Sequence, residues 1–118
     1  MTMLTLRREQ MQALERYALE QFIARMSARL HARFRRETEK VAEPDLRTLI
    51  RRAITKAETY GVSDEADVAR YLEFVIRYGP EFDTQETTAW AGRILKHADQ
   101  SGTEKMNALD DCDLFGSR

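Results

Sequence analysis

Leu46-Arg-Thr-Leu-Ile-Arg-Arg-Ala-Ile-Thr-Lys-Ala-Glu-Thr-Tyr-Gly-Val-Ser-Asp-Glu65 reads as two helices meeting at one corner. Leu46, Leu49, Ile50, Ala53, Ile54, Ala57 and Tyr60 recur at steps of three and four, which sets them along one helical face. Gly61 follows, able to take the left-handed conformation that closes a helix, and Val62 comes after it. Ser63, Asp64 and Glu65 then offer an N-cap and an acidic first turn to the next helix. Upstream, Glu43-Pro-Asp45 opens the first of the pair, because proline suits the first helical position and carboxylates suit the positive end of the dipole.

Downstream of the corner, the spacing predicts a helix over residues 63–78 that buries Val68, Tyr71, Leu72, Val75 and Ile76 and stops at Gly79-Pro80. A short loop holds Phe82. Asp83-Thr-Gln-Glu86 has the residue types of a capping box, which predicts a further helix to about His97 that buries Trp90, Ile94 and Leu95. Gln100-Ser-Gly-Thr103 breaks it, a weak helical segment spans 103–109, and the acidic end over 110–118 reads as frayed.

On the other side of the corner, Met11, Leu14, Ala18, Leu19, Phe22, Ile23, Met26, Leu30 and Phe34 predict one long helix over residues 7–39 without glycine or proline inside. Such a helix spans about 45 Å. That exceeds the width of a compact domain of this size, so its end near Arg33, Arg35 and Arg36 projects, or it kinks, or it packs on a second copy. The drift to steps of four disfavours a parallel coiled coil. The expected fold is all-α: a single-domain bundle of four main helices over residues 1–100, with a long N-terminal helix. A short fifth helix and a flexible acidic tail occupy 101–118.

A chain of 118 residues can bury one core without metal or disulfide, and the lone Cys112 rules out an internal disulfide and suits a reducing compartment. No apolar run approaches the roughly 18 residues of a membrane span. The first six residues lack the pattern of a signal peptide, so a cytoplasmic location without membrane contact is expected. Residues 1–60 carry 13 Lys/Arg against 8 Asp/Glu, and residues 61–118 carry 6 against 12. Two halves of opposite sign are expected to complement each other within the fold, and the net charge of −1 is not the footprint of a nucleic-acid binder.

Residues able to make or break bonds are sparse. His31 and His97 form no metal-ligand spacing with each other or with Cys112, and no glycine-rich phosphate loop or GxSxG elbow occurs. No catalytic residue, cofactor or metal is therefore expected. Ala57, Gly61, Val62 and Ser63 do fall where a helix-turn-helix places its small residue, turn and second-helix cap. A small DNA-associated regulator is thus the alternative reading. It is disfavoured because Asp64, Glu65 and Asp67 would lead the recognition helix into a polyanion.

Two groups of side chains are candidates for protein contact. One gathers Arg70, Arg77, Tyr78, Phe82 and Trp90 around Gly79-Pro80, since arginines and aromatics are favoured interface anchors. Within it Phe82, Trp90 and Tyr71 also suit a core, whereas Arg77 and Tyr78 are expected to face outward. The other is helix one, whose apolar Phe22 and Met26 lie beside a stripe of Arg25, Arg29, Arg33 and Arg36.

In their order along the chain, Leu4-Thr-Leu-Arg-Arg-Glu-Gln-Met11, Phe22-Ile-Ala-Arg-Met26, Leu49-Ile-Arg-Arg52, Tyr60-Gly-Val62, Val68-Ala-Arg-Tyr-Leu72, Gly79-Pro-Glu-Phe-Asp83 and Trp90-Ala-Gly-Arg-Ile-Leu95 carry a resemblance. The chain resembles small helical proteins encoded in bacterial type VI secretion effector loci, some of them co-chaperone-like. The resemblance covers about residues 4–95, and its most specific part is the Gly79–Asp83 turn between two aromatic-bearing helices. It implies a non-enzymatic adaptor or co-chaperone that helps load an effector onto the secretion spike. The implied partners are an effector chaperone, an effector or a spike component, and it implies no catalytic residue. Arg25, Arg29 and Arg33 are expected to select an acidic partner by charge, and the long first helix leaves room for a homo-oligomer.

Overall fold

The computed structural model describes residues 8–115, which form six α-helices and, among the described residues, no strand. They are α1 (Arg8–Arg33), α2 (Arg35–Thr38), α3 (Glu43–Thr59), α4 (Glu65–Tyr78), α5 (Ala89–Leu95) and α6 (Gly102–Phe115), with a 3₁₀ turn at Glu86–Thr88 before α5. The all-α expectation holds, with 78% of the described residues helical.

The corner after α3 forms as its residues dictate. Gly61 takes φ 80°, its N–H donates to the Glu58 carbonyl at 3.0 Å, and the Val62 N–H donates to the Ala57 carbonyl at 3.0 Å. Those two bonds satisfy carbonyls that a helix end otherwise leaves open, and buried Val62 and Ala57 belong to one core at the same place. Gly102, the first residue of α6, packs on this corner so closely that a Cβ there would collide with the Gly61 carbonyl oxygen. Helix four does not start at Ser63. It starts at Glu65 with an extended Asp64 in front and no side-chain cap.

α4 is the centre of the molecule. Val68, Ala69, Tyr71, Leu72, Phe74 and Val75 are buried on several sides. Ion pairs join Arg25 to Glu65 and Arg33 to Glu73, so α1 runs alongside α4 in the same direction. Pairs from Arg51 to Glu20 and from Ser27 to Glu43 run α3 antiparallel to α1. At the far end of α4, Phe74 stacks on Phe82 at 5.7 Å and meets Trp90 edge-on at 6.4 Å, which closes an aromatic core under α5.

Four expectations are corrected. The long helix over 7–39 breaks at Phe34, whose φ of −126° and ψ of 58° separate α1 from α2. The Thr38 hydroxyl then bonds back to the Phe34 carbonyl at 2.7 Å. Asp83 and Glu86 do not make a capping box, because Asp83 is drawn into the core by Lys56 and Tyr60. The helix expected to follow is only the seven residues of α5. The weak segment over 103–109 is instead the fourteen-residue α6, which runs as far as Phe115 and is held to α4 through Asp110 and Asp113 rather than frayed. Residues 1–7 and 116–118, which include the start of the long helix and the end of the tail, lie outside the described residues.

Candidate docking surface on the first helix

Apolar side chains of α1 lie on a row of roughly four-residue steps: Met11, Leu14, Ala18, Phe22, Met26 and Leu30. Four residues turn an α-helix by about 400°, so each step carries the row about 40° further round the axis. From Leu14 to Leu30 the swing is about 160°. One end of the row can therefore face the core while the other cannot. Leu30, Met26 and Phe22 are buried against α3 and α4, whereas every described side chain from Gln10 to Gln21 is exposed. Met11, Leu14 and Leu19 are 46%, 57% and 41% exposed, and Tyr17 beside them is 66% exposed. Four large apolar side chains on three turns of one helix are more than a scatter of single surface hydrophobics.

The exposed row leads into a groove. Ala18, Leu19 and Phe22 of α1, Ile54 of α3 and Val68 of α4 line an open hollow of about 200 Å³, with Ser63 and Glu65 at its rim. Arg25 is bonded to Glu65 of this lining at 3.3 Å, with its guanidinium over the Phe22 ring.

The structure divides the ten sequence-predicted contact residues into three kinds. Phe22, Met26, Phe82 and Trp90 are buried members of the core, although Phe22 also walls the groove. Arg25, Arg29 and Arg33 are spent within the molecule: Arg25 pairs with Glu65, and Arg29 and Arg33 share Glu73 at 3.2 and 3.3 Å. Three arginines facing two glutamates of α4 present a reduced positive charge to an acidic partner. Arg70, Arg77 and Tyr78 hold α6. Arg70 bridges Asp67 and Asp110, both at 2.8 Å, while Arg77 and Tyr78 both donate to Asp113. Arg77 also lies over the Phe74 ring, so it does not stand free at the surface. Met11 and Leu14 stand at the exposed end of the row, and its four-residue drift is the sequence signal that sets them apart from the core.

Outside this face, the titratable clusters act as braces. The Asp83 carboxylate accepts from the Tyr60 hydroxyl at 2.5 Å and from Lys56 Nζ at 3.1 Å, and Lys56 also reaches Glu81 at 3.0 Å. Burial alone would lower the Lys56 pKa, but Glu81 and Asp83 outweigh it and hold the ammonium above its ordinary value. Burial, then the hydrogen bond to Asp83, pushes the Tyr60 hydroxyl up. Asp67, at the would-be recognition end of α4, is likewise enclosed. Burial pushes its carboxyl up, yet the Thr103 hydroxyl and the Arg70 guanidinium prevail and hold it below the ordinary value. Gly102 and Thr103 of α6 pack on the corner and on Asp67, while Ser63 to Ala66 stay exposed. An open cleft of about 520 Å³ runs between α3 and the Pro80-Glu81 turn, lined by Leu49, Arg52 and Lys56 among others. Among the described residues no group of three or more His, Cys, Asp or Glu is placed to hold a metal ion, and no helix is long and apolar enough to cross a membrane. Comparison with family models, with curated proteins and with solved structures gave no match.

Proposed function

We propose that this protein is a non-enzymatic adaptor that docks on another polypeptide through the projecting half of α1. The observation that carries the proposal is the row Met11–Leu14–Ala18, which leaves the core and runs into the groove at Leu19, Phe22, Ile54 and Val68. Burying such a row removes apolar area from water at about 25 cal/mol per Å², and its helical spacing suits the amphipathic face of another helix. The side chains with strong chemistry support this reading from the other direction. Lys56, Tyr60 and Asp83 are bonded to one another, as are Asp67, Arg70 and Asp110, and each set braces a loop or a helix.

The resemblance to small helical proteins of type VI secretion effector loci narrows the proposal to a cytoplasmic co-chaperone. In that role it assists in loading an effector onto the secretion spike, with an effector chaperone, an effector or a spike component as partner. The stretches that carry the resemblance include both the exposed Met11 and the Gly79–Asp83 turn that Lys56 and Tyr60 brace. The test is a pulldown of the tagged chain from cells carrying the whole locus, run in parallel with Leu14→Glu. Recovery of a chaperone, effector or spike component with the native chain, and its loss with Leu14→Glu, is the expected result. Recovery of none of them defeats the proposal.

A further inference from the structure

We infer that His31 is a pH-sensitive latch at the break between α1 and α2. As an imidazolium it ties α1 to both α2 and α3, and on losing its proton it gives up one hydrogen bond of that tie. The ring sits in the last turn of α1. Its Nδ1 lies 3.2 Å from the Thr38 hydroxyl of α2, and its Nε2 lies 3.2 Å from the carboxylate of Glu43, the first residue of α3. One side chain therefore joins three helices at the point where the chain turns back on itself.

The hydrogens available decide what this geometry requires. A neutral imidazole carries one N–H and one lone pair, whereas the imidazolium donates from both nitrogens. Glu43 is an acceptor: Arg47 at 2.6 Å and then the Ser27 hydroxyl lower its carboxyl to about 2, so it is ionised throughout the range in which histidine changes charge. Nε2 must then donate toward it. The Thr38 hydroxyl has a single hydrogen, and at 2.7 Å from the Phe34 carbonyl it donates there. Toward Nδ1 that oxygen can only accept, so Nδ1 must carry a proton as well. All three bonds coexist only in the imidazolium.

Loss of the proton breaks this chain of bonds at Thr38. With the Nε2–H kept on Glu43, Nδ1 becomes an acceptor, and the hydroxyl serves either Nδ1 or the Phe34 carbonyl but not both. Thr38 is 1% exposed, so water does not replace the missing bond. The other charged groups around the ring are in balance. Arg35 and Glu39 share with His31 and Thr38 a hollow of about 250 Å³ on the α2 side, and Arg47 backs Glu43 on the α3 side. Two cations thus face two anions, and arginine keeps its charge throughout. The tie is complete on the acid side of the histidine range and is lost in part as pH rises through it. The break at Phe34 is firm when the ring is charged and looser when it is neutral.

Amide hydrogen exchange of the full chain from about pH 5 to 8, expressed as protection so that the intrinsic pH dependence of exchange drops out, tests the latch. The amides to follow are those of Thr38 and Glu39, which donate to the Phe34 and Arg35 carbonyls. Their protection is expected to fall about fivefold across the range, the worth of one hydrogen bond. In His31→Gln and in Thr38→Val it is expected to stay flat. In His97→Gln, beyond the end of α5, it is expected to fall as in the native chain. Protection that is independent of pH in the native chain overturns the inference, as does a fall that persists in His31→Gln or Thr38→Val. Ring-nitrogen NMR of the native chain decides the matter without variants. Protons on both nitrogens at the acid end, with the one on Nδ1 slow to exchange, are expected, and an Nδ1 proton that exchanges freely with water overturns the inference.

Discussion

At the scale of single residues, the best-placed polar group is Asp83. Its carboxylate is buried and holds both Lys56 and Tyr60, tying α3 to the turn that carries Phe82 into the aromatic core. Asp83→Ala leaves a half-buried ammonium and a hydroxyl without their acceptor, and is predicted to cost about 3 kcal/mol in chemical denaturation. A loss under about 0.5 kcal/mol, the ordinary range for surface changes, would show that the brace is ornamental. Glu43 gives a sharper readout. Hydrogen bonds from Arg47 and Ser27 lower its pKa from the ordinary 4.5 to about 2, against the opposing effect of desolvation. A carboxyl whose folded pKa lies below its unfolded pKa adds stability above about pH 4.5, and that contribution fades as pH falls toward about 2. NMR titration of the Glu43 carboxyl is predicted to give a midpoint near 2 in the native chain. In Arg47→Ala, which removes the largest cause, the midpoint is predicted to move up toward 4.5. None of these partnerships could be read from spacing alone. Asp83 and Glu86 match a capping box in type and separation, and what overrides the match is a lysine and a tyrosine more than twenty residues upstream.

At the scale of elements, α6 shows where local signals and tertiary packing part. Asp110, Asp111 and Asp113 sit at the C-terminal end of a helix, where the dipole disfavours carboxylates, so the sequence there reads as a frayed acidic tail. Arg70, Arg77 and Tyr78 on α4 supply the opposing interactions, and Met106 and Leu109 add an apolar anchor that is fully buried. Long-range pairing therefore outweighs an unfavourable local preference. Leu109→Ala is predicted to destabilise by about 3 kcal/mol through lost burial and the cavity left behind. Leu114→Ala, at a side chain 77% exposed, is predicted to change stability by under about 0.5 kcal/mol. Equal effects in the two variants would mean that α6 is not docked by its inner face. By contrast, α3, α4 and the corner between them were legible throughout, because their periodicity, glycine and proline all agree. The cap was misplaced, at Ser63 instead of Asp64, and Phe74 rather than the half-buried Ile76 completes the core face of α4. α1 was legible as a helix but not as to where it breaks, since no glycine or proline marks Phe34.

At the scale of the whole molecule, part of the uneven charge of the sequence is matched across the fold. The basic first half meets the acidic second half through Arg25–Glu65, Arg29 and Arg33 on Glu73, and Lys56 on Glu81 and Asp83. The apolar row of α1 stands outside these pairs, and the docking reading rests on its exposure and on the groove it enters. The two contributions can be separated by salt. Glu73 is the most enclosed of the acceptors facing α1, with its side chain 15% exposed, and it serves two arginines that are each about half exposed. Glu73→Gln keeps the shape and removes the charge, and is predicted to lower stability by about 1 kcal/mol at low salt. In 1 M salt the Debye length falls to about 3 Å, so most of that difference is predicted to vanish. Leu14→Ser is predicted to leave stability within about 0.5 kcal/mol of the native chain at either salt concentration, because its side chain meets water and not the core. Denaturation curves of the two variants at both salt concentrations decide the matter. A salt-independent loss in Glu73→Gln would assign that residue to packing, and a large loss in Leu14→Ser would place the row inside the fold and remove the surface on which docking depends.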